Sequence, residues 1–498
     1  MNILQDLSVA APLWILAGGA ALVLLLTVAS GHRQPTPPTS HHLVLITLAA
    51  LGVSGAILAT RSGAGSAFGG ALLVDGLGIL FGTVALTGGL CATLFAAGYL
   101  REHELSSGEF FALILLSSVG MLTLTMAGDL ITAFIGLETM SLAVYVLAGF
   151  VRVSPQSQEA ALKYFIYGAF ASGFFLFGTA LLYGEVGHLT GKPSVLFAAL
   201  ALAVSAGAIS KLGWIGVGLV LSGFAFKVAA VPFHMWAPDV YEGAPTAATG
   251  FMAVGVKTAA FAALARFAVA VFAHGKMTAT GVGLFEVLAI LTMAVGNFLA
   301  LRQTKIKRML AYSSIAHAGY LLVGVVALCA QSRSGALEAM VYYLLGYTGM
   351  TLGAFGVVAA FERREIQGQN LAIERLTGIG RRYPALGLVM TVFMLSLAGV
   401  PPTAGFFGKV VLFSAALTAG RVPLVIVAVL LSAVGAYYYL RVIVVMYMFE
   451  APESTKRVAS AWQAAGLWAC AALVIGIGLL PGGCLTYARD LLASWLGT

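Results

Sequence analysis

The sequence predicts an all-α polytopic membrane protein of about 14 transmembrane helices, with two inverted five-helix repeats that each contain a Pro-broken helix. Three observations predict it. Of the 498 residues, 60% are hydrophobic and only 9% charged, with a mean hydropathy of +0.97, where a soluble domain carries about a quarter charged residues. Apolar runs of 18 residues or more recur along almost the whole chain, and each suffices for one helix across a hydrocarbon layer of roughly 30 Å. Two of these runs are interrupted by proline beside a lysine, at FAFKVAAVPFHMW (224–236) and LAGVPPTAGFFGK (397–409). The period-two alternation of a barrel is absent, so helices must satisfy the lipid-exposed backbone.

Taken in order, the apolar runs between Pro, Gly and charged punctuation fall at 10–30, 42–60, 72–99, 109–127, 129–150, 160–184, 214–240, 247–273, 281–301, 307–329, 336–361, 385–418, 422–448 and 461–481. The N-terminus lacks the basic stretch of a signal peptide, which makes the first run a retained span. Segment 194–209 is apolar but short, and reads as an interfacial or re-entrant helix. The lysines at the two breaks, Lys227 and Lys409, are 182 residues apart. A shift of that size pairs the fourth to eighth spans with the ninth to thirteenth. Five spans per unit turn the second copy upside down, the layout of many transporters, whose paired broken helices mark the transport site. The expected organisation is a three-helix segment at 1–105, a first repeat at 106–275, a second at 276–450, and a C-terminal helix and tail at 451–498.

Loops after odd-numbered spans carry 14 Lys and Arg, against 7 in the remaining loops and the C-terminus. By the positive-inside rule both termini lie outside the cytoplasm. This placement accounts for the net charge of +8, and no basic patch suggests nucleic acid. Arg266 and Arg441 fall near span ends and are expected to snorkel. Four cysteines, Cys91, Cys329, Cys470 and Cys484, show no CxxC pairing, so no disulfide framework, zinc site or iron–sulfur site is signalled. There is no GxGxxG, P-loop, CxxCH or bis-His pair at helical spacing, and hence no sign of a nucleotide or redox cofactor.

What remains are ionisable residues inside the runs. A charge at mid-membrane costs about 2.5–3.5 kcal/mol on insertion scales, so such residues normally line ion pathways. Glu138, in GDLITAFIGLETMSLAVYVLAGF, shares a helical face with Ser141 and Tyr145. It serves either a proton path or a packing ion pair. Lys163 begins the span ALKYFIYGAF and either joins the path or snorkels. Lys227 lies well inside its run with a break beyond it, where desolvation eases loss of its proton and Glu138 can tune that tendency. Lys257, in GFMAVGVKTAAFAALARF, and Lys409 are similarly deep. His234 and His317 are proton carriers or hydrogen-bonding residues. Asp239 and Glu242, in WAPDVYEGAPT, are expected at the outer end of the seventh span, as a mouth or as caps of the next helix.

Five of these stretches, GLETMSLAVYVLAGF (136–150), ALKYFIYGAFASGFFLFG (161–178), FKVAAVPFHMWAPDVYEGAPT (226–246), KRMLAYSSIAHAGYLLVG (307–324) and LAGVPPTAGFFGK (397–409), carry a resemblance. In order and spacing, over roughly 70–450, the chain resembles the N-subunit (subunit 2) family of bacterial respiratory complex I, NADH:quinone oxidoreductase. That family is one of three antiporter-like membrane subunit types related to cation/proton antiporters. Relatives of the other types show a WLPxAMxGPTPVSALLHAATMV-like pattern where this chain has WAPDVYEGAPTAATGFMAVGVKTAAF, with lysine where they place histidine.

The resemblance implies a fourteen-helix fold with two inverted repeats and a non-redox, proton-pumping translocase subunit of the bacterial cytoplasmic membrane. It implies proton-path roles for Glu138, Lys227, Lys257 and Lys409, and a match of Lys163 to a lysine the family keeps. It also implies NADH, FMN, iron–sulfur clusters and quinone in partner subunits, among them the other antiporter-like subunits and small quinone-side helical subunits, with no cofactor in this chain. The alternatives are a stand-alone or multi-subunit Na+/H+ antiporter subunit and a lipid-substrate transferase, the latter disfavoured by short, mildly polar loops.

Overall fold

The computed structural model describes residues 3–30, 41–61, 65–206, 209–273, 277–330, 333–362, 371–450 and 459–496. Arg33, Lys276, Arg363, Arg364, Lys456 and Arg457, all counted in the loop charge bias, lie outside the described residues. In chain order the first half runs α1 (Ile3–Val9), α2 (Ala11–Ala29), α3 (His41–Ala59), β1 (Gly65–Ala67), β2 (Leu72–Val74), α4 (Gly76–Glu102), α5 (Ser107–Thr125), α6 (Leu130–Ala148), α7 (Pro155–Thr190), α8 (Phe197–Ala206), α9 (Lys211–Val228) and α10 (Trp236–Gly243). The second continues with α11 (Thr246–Phe251), a π-helical turn Met252–Val256, α12 (Lys257–Phe272), α13 (Met277–Leu301), α14 (Ile306–Cys329), α15 (Arg333–Phe361), α16 (Ile379–Arg382), α17 (Pro384–Ala398), α18 (Ala404–Thr418), α19 (Val422–Met448), α20 (Ala461–Leu479) and α21 (Pro481–Leu496).

Thirteen helices among the described residues are long and apolar enough to cross a membrane. The fourteenth crossing is α17 and α18 together, each too short alone, joined through Gly399–Thr403. The predicted seventh span is likewise interrupted: α9 stops at Val228, Ala229 turns left-handed at φ 58°, and the chain resumes as a helix only at Trp236. Segment 194–209 forms α8, ten residues long, too short to cross at 1.5 Å per residue. The short hairpin β1–β2 delays the third span, which begins where Asp75 accepts from the Gly78 N–H as an N-cap. Asp129 and Ser154 cap α6 and α7 in the same way.

Isolated bridges Leu72↔Ala127 and Asp129↔Leu196 join loops at one end of the bundle, and Lys305↔Ala372 joins loops at the other. The latter is the end that carries the loops after odd-numbered spans, and we refer to it as the basic face. Hydropathy cannot tell central from peripheral helices here, because lipid is as apolar as a core. Burial does: the most apolar stretch of α11–α12 is 94% buried and that of α2 only 22%. α4, α11–α12, α14 and α15 form the interior. Small residues permit the tightest crossings: a Cβ added to Gly136 of α6 would come within 2.6 Å of the Leu124 backbone nitrogen of α5.

Candidate functional site

Glu138 is the ninth residue of α6, half-buried, and its Oε1 accepts a short hydrogen bond from Ser172 of α7. Lys227 sits in the last turn of α9, 2% exposed, where the carbonyl end of the helix favours a cation. Its Nζ donates to the Tyr145 hydroxyl at 3.1 Å and lies 5.1, 5.2 and 5.3 Å from the ring centres of Tyr145, Tyr164 and Phe226. Among the described residues Glu138 and Lys227 form no direct ion pair. Tyr145 stands between them, and Glu138 is close enough to act electrostatically on both. Gly168 of α7 leaves the room, since a Cβ there would overlap the Tyr145 hydroxyl. Beyond Tyr145, Tyr164 stacks on Trp236 with ring centres 4.3 Å apart, its hydroxyl buried without a hydrogen-bond partner among the described residues.

Lys257 follows directly on the π-helical turn, an irregularity that re-aims side chains and is frequent at functional sites. Its Nζ donates to both the carbonyl and the hydroxyl of Ser314, each at 2.5 Å. The Ser314 hydroxyl also accepts from Tyr347 at 2.8 Å, and the Tyr241 hydroxyl approaches it from α10. One turn further along α14, the His317 ring nitrogens pair with the hydroxyls of Tyr343 at 2.6 Å and Tyr439 at 3.1 Å. Tyr439 bonds Ser313 and lies 3.3 Å from the Tyr438 hydroxyl, which donates to Asn297; Asn297 in turn donates to Tyr320. The Lys409 ammonium lies 5.3 Å from the centre of the Tyr320 ring. It donates to Ser432 at 2.8 Å and to the carbonyls of Ala398 and Leu397 at 2.9 and 3.1 Å. Those carbonyls are the ones the break at Gly399 leaves without helical partners.

Two of these groups share a depth. Lys257 is 11 residues beyond Thr246 and His317 is 11 residues beyond Ile306, so each lies roughly 16 Å below the basic face at 1.5 Å per residue. The sequence reading found the lysines, His317 and Tyr145 but not the other tyrosines, Ser314 or Asn297 between them. Their only signal was recurrence of Tyr and Ser in otherwise apolar runs, which ordinary packing also produces.

Four expectations change or fall outside this network. Arg266 does not snorkel: it is 5% exposed and pairs with Asp75 at 2.6 and 2.9 Å, tying the end of α12 to the start of α4. A long-range partner, Asp75, was invisible to a reading by span depth. Asp239 and Glu242 do not cap the next helix. The N-cap of α11 is Pro245, with no side-chain cap bond, and the two carboxylates bind Lys163, Lys305 and Arg308 on the basic face. Burial alone would raise the Glu242 carboxyl, but the hydrogen bonds from Lys305 and Arg308 outweigh it and hold the group below its ordinary range. Lys163 is occupied by Glu159 at 2.7 Å and Asp239 at 2.8 Å, apart from the buried lysines. His234 sits half-buried in the first break, with no hydrogen bond to Glu138 or Lys227 among the described residues. Among the described residues no group of His, Cys, Asp or Glu is gathered as a metal site.

The family described as NADH:quinone oxidoreductase/Mrp antiporter, transmembrane region, matches residues 127–436, which span both breaks and Lys227, Lys257 and Lys409. The subunit N 1 of NADH-quinone oxidoreductase from Sorangium cellulosum is 48% identical over 432 residues, 85% of this chain and 84% of that one. A chain of respiratory complex I from Thermus thermophilus, solved with aureothin bound, superposes with a TM-score of 0.78 at 36% identity, over 96% of this chain and 99% of that one. A chain of the Mrp complex from Dietzia shares the fold, with a TM-score of 0.79 at 22% identity, over 99% of this chain and 97% of that one. On the family match and the identity over most of both chains, this chain belongs to the NADH:quinone oxidoreductase/Mrp antiporter family of membrane subunits, and within it to the NADH-quinone oxidoreductase subunit N group.

Proposed function

We propose that the chain is the proton-translocating subunit of an NADH-quinone oxidoreductase and carries no redox chemistry itself. Quinone reduction elsewhere in the complex would drive proton transfer along Glu138, Lys227, Lys257, His317 and Lys409. The observation that carries this reading is the series of buried lysines Lys227, Lys257 and Lys409, each held by hydroxyls or freed carbonyls rather than by a carboxylate. A lysine kept only for packing would be neutralised by a partner. Tyr145, Tyr164 and Tyr241 span the gap between Lys227 and Lys257, and the Tyr343, Tyr439, Tyr438, Asn297 and Tyr320 cluster spans that between Lys257 and Lys409. Lys163 and His234 would act at the edges, Lys163 through its bond to Asp239.

In this reading residues 106–275 and 276–450 form two inverted repeats, each contributing one break. NADH, FMN, iron–sulfur clusters and quinone belong to partner subunits, the other antiporter-like and small quinone-side subunits among them. The assembly lies in the bacterial cytoplasmic membrane, with both termini on the non-cytoplasmic side by the Lys and Arg bias. A sodium path is disfavoured on charge: three ammonium groups along the route repel a metal cation that has lost its water.

The test uses the assembled complex in proteoliposomes. Lys257→Ala is expected to lower proton pumping and quinone-linked NADH oxidation together, with Lys257→Arg retaining part of both. Unchanged pumping stoichiometry and rate in Lys227→Ala and Lys257→Ala would show the relay to be wrong.

A further inference from the structure

On the basic face a small cavity of about 30 Å3 opens among the ends of α4, α10 and α15, the loop between α6 and α7, and the start of α14. Roughly 10–15 Å3 holds one water, so it has room for about two. Its polar walls are Tyr99, Ser154, Ser157, Glu242, Lys307 and Glu362. Lys307 is only 4% exposed. Its Nζ donates to the Ala244 carbonyl at 2.7 Å and stops 4.0 Å short of the Glu362 carboxylate. Glu362 accepts a short hydrogen bond from Thr246, the first residue of α11, and Tyr99 lies against both. A pair that existed only to pack would close to hydrogen-bond distance, as Arg266 and Asp75 do; this one leaves a gap beside a cavity.

The cavity stands at the head of the helix that carries Lys257. Thr246 begins that run, Tyr241 is buried in α10 just before it, and Ser314 holds the Lys257 ammonium. Buried polar groups therefore lie between an opening on the basic face and a buried lysine, with apolar helices around them.

We propose that this cavity is the proton intake for Lys257, with Glu362 as its loading carboxylate and Lys307 as the residue that positions it. The inference rests on the proton-relay reading above. A hydronium ion in the cavity gives its proton to Glu362 and leaves as water. Glu362 hands the proton on by way of Thr246 and Tyr241 toward Ser314, and it ends on Lys257 in its amine form, leaving Glu362 a carboxylate and Lys257 an ammonium. Lys307, tethered to the Ala244 carbonyl and facing Glu362 across 4.0 Å, keeps the carboxylate turned to the cavity through the cycle.

The experiment compares variants of the assembled complex in proteoliposomes, with NADH oxidation and acidification read separately. Glu362→Gln, which keeps shape and loses the proton site, is expected to slow pumping by about a hundredfold, the low side of what a positioned acid–base group contributes. Glu362→Asp is expected to restore most of it, which a purely structural role does not predict. Should Glu362→Gln fail to assemble, a second arm decides. Gln156, exposed at the rim, is replaced by Cys in a Cys484→Ser background and labelled with a charged, membrane-impermeant maleimide. Labelling from the basic face is expected to block pumping, and a labelled complex that pumps at the unlabelled rate overturns the proposal. Normal pumping in Glu362→Gln with loss in Lys257→Ala overturns the intake while leaving the relay standing. Normal pumping in both overturns the relay, and the intake with it.

Discussion

At the scale of single residues, Lys227, Lys257 and Lys409 are buried and held in three different ways. Lys257 depends on one residue, Ser314, for both of its hydrogen bonds. Ser314→Ala keeps the carbonyl and removes the hydroxyl on which Tyr347 and Tyr241 converge, so pumping should fall several-fold while assembly, read by native gel, stays normal. Tyr164→Phe removes one buried hydroxyl and keeps the stack on Trp236; pumping slows if that hydroxyl serves the path between Lys227 and Lys257, and is untouched if it is only packing. Arg266→Met is of another kind. Stranding the Asp75 carboxylate in the interior should cost about 3–5 kcal/mol, seen as a lower thermal midpoint of the complex, and a Leu at position 75 in the same variant should recover much of it. Lys227, Lys257, Lys409, Glu138 and His317 were legible in the sequence because a charge in an apolar run is conspicuous. Tyr439, Asn297 and Ser314 were not, since polar but neutral side chains on a buried helix look alike whether they bind a lysine or a neighbouring carbonyl. The pairing of Arg266 with Asp75 spans 191 positions, a distance over which no local pattern speaks.

At the scale of elements, the two broken helices are the features the sequence announced most clearly, through Pro232 and Pro401–Pro402. The lysine precedes the break in one and follows it in the other, which looks in sequence like a mismatch. In space it is not: Lys227 ends its own half-helix, and Lys409 reaches across to the carbonyls that end α17. Both ammonium groups therefore meet the negative end of a half-helix. Gly399 makes the second contact possible, with φ 88° and a position where an added Cβ would stand 3.0 Å from the Lys409 Nζ. Gly399→Ala should cost about 1–3 kcal/mol in backbone strain and displace the ammonium. The check is a drop in thermal midpoint accompanied by slower pumping, where strain without displacement gives the first alone. The π-helical turn before Lys257 left no trace in the sequence, because MAVGV is ordinary helical composition and the irregularity is imposed by packing within the interior helices.

At the scale of the whole molecule, the basic face is held together by ion pairs joining α7, α10 and α14: Lys163 and Arg308 to Asp239, and Arg308 to Glu242, with Lys305 before α14 completing the set. Because the Glu242 carboxyl is held below its ordinary range, its share of the stability is fully present above the usual glutamate value of about 4.3 and is lost only as pH falls through the lower folded value. Hydrogen exchange of residues 239–246 should accordingly stay slow as pH is lowered to the ordinary carboxylate range and rise below it, at rates corrected for intrinsic pH dependence. The equal depth of Lys257 and His317 has an electrical consequence. A membrane potential does work of roughly 2.3 kcal/mol per 100 mV on a charge carried from one side to the other, but almost none on a charge that moves sideways at constant depth. A step between these two sites is then nearly blind to voltage, and the opposing potential is felt on the vertical legs that join them to either surface.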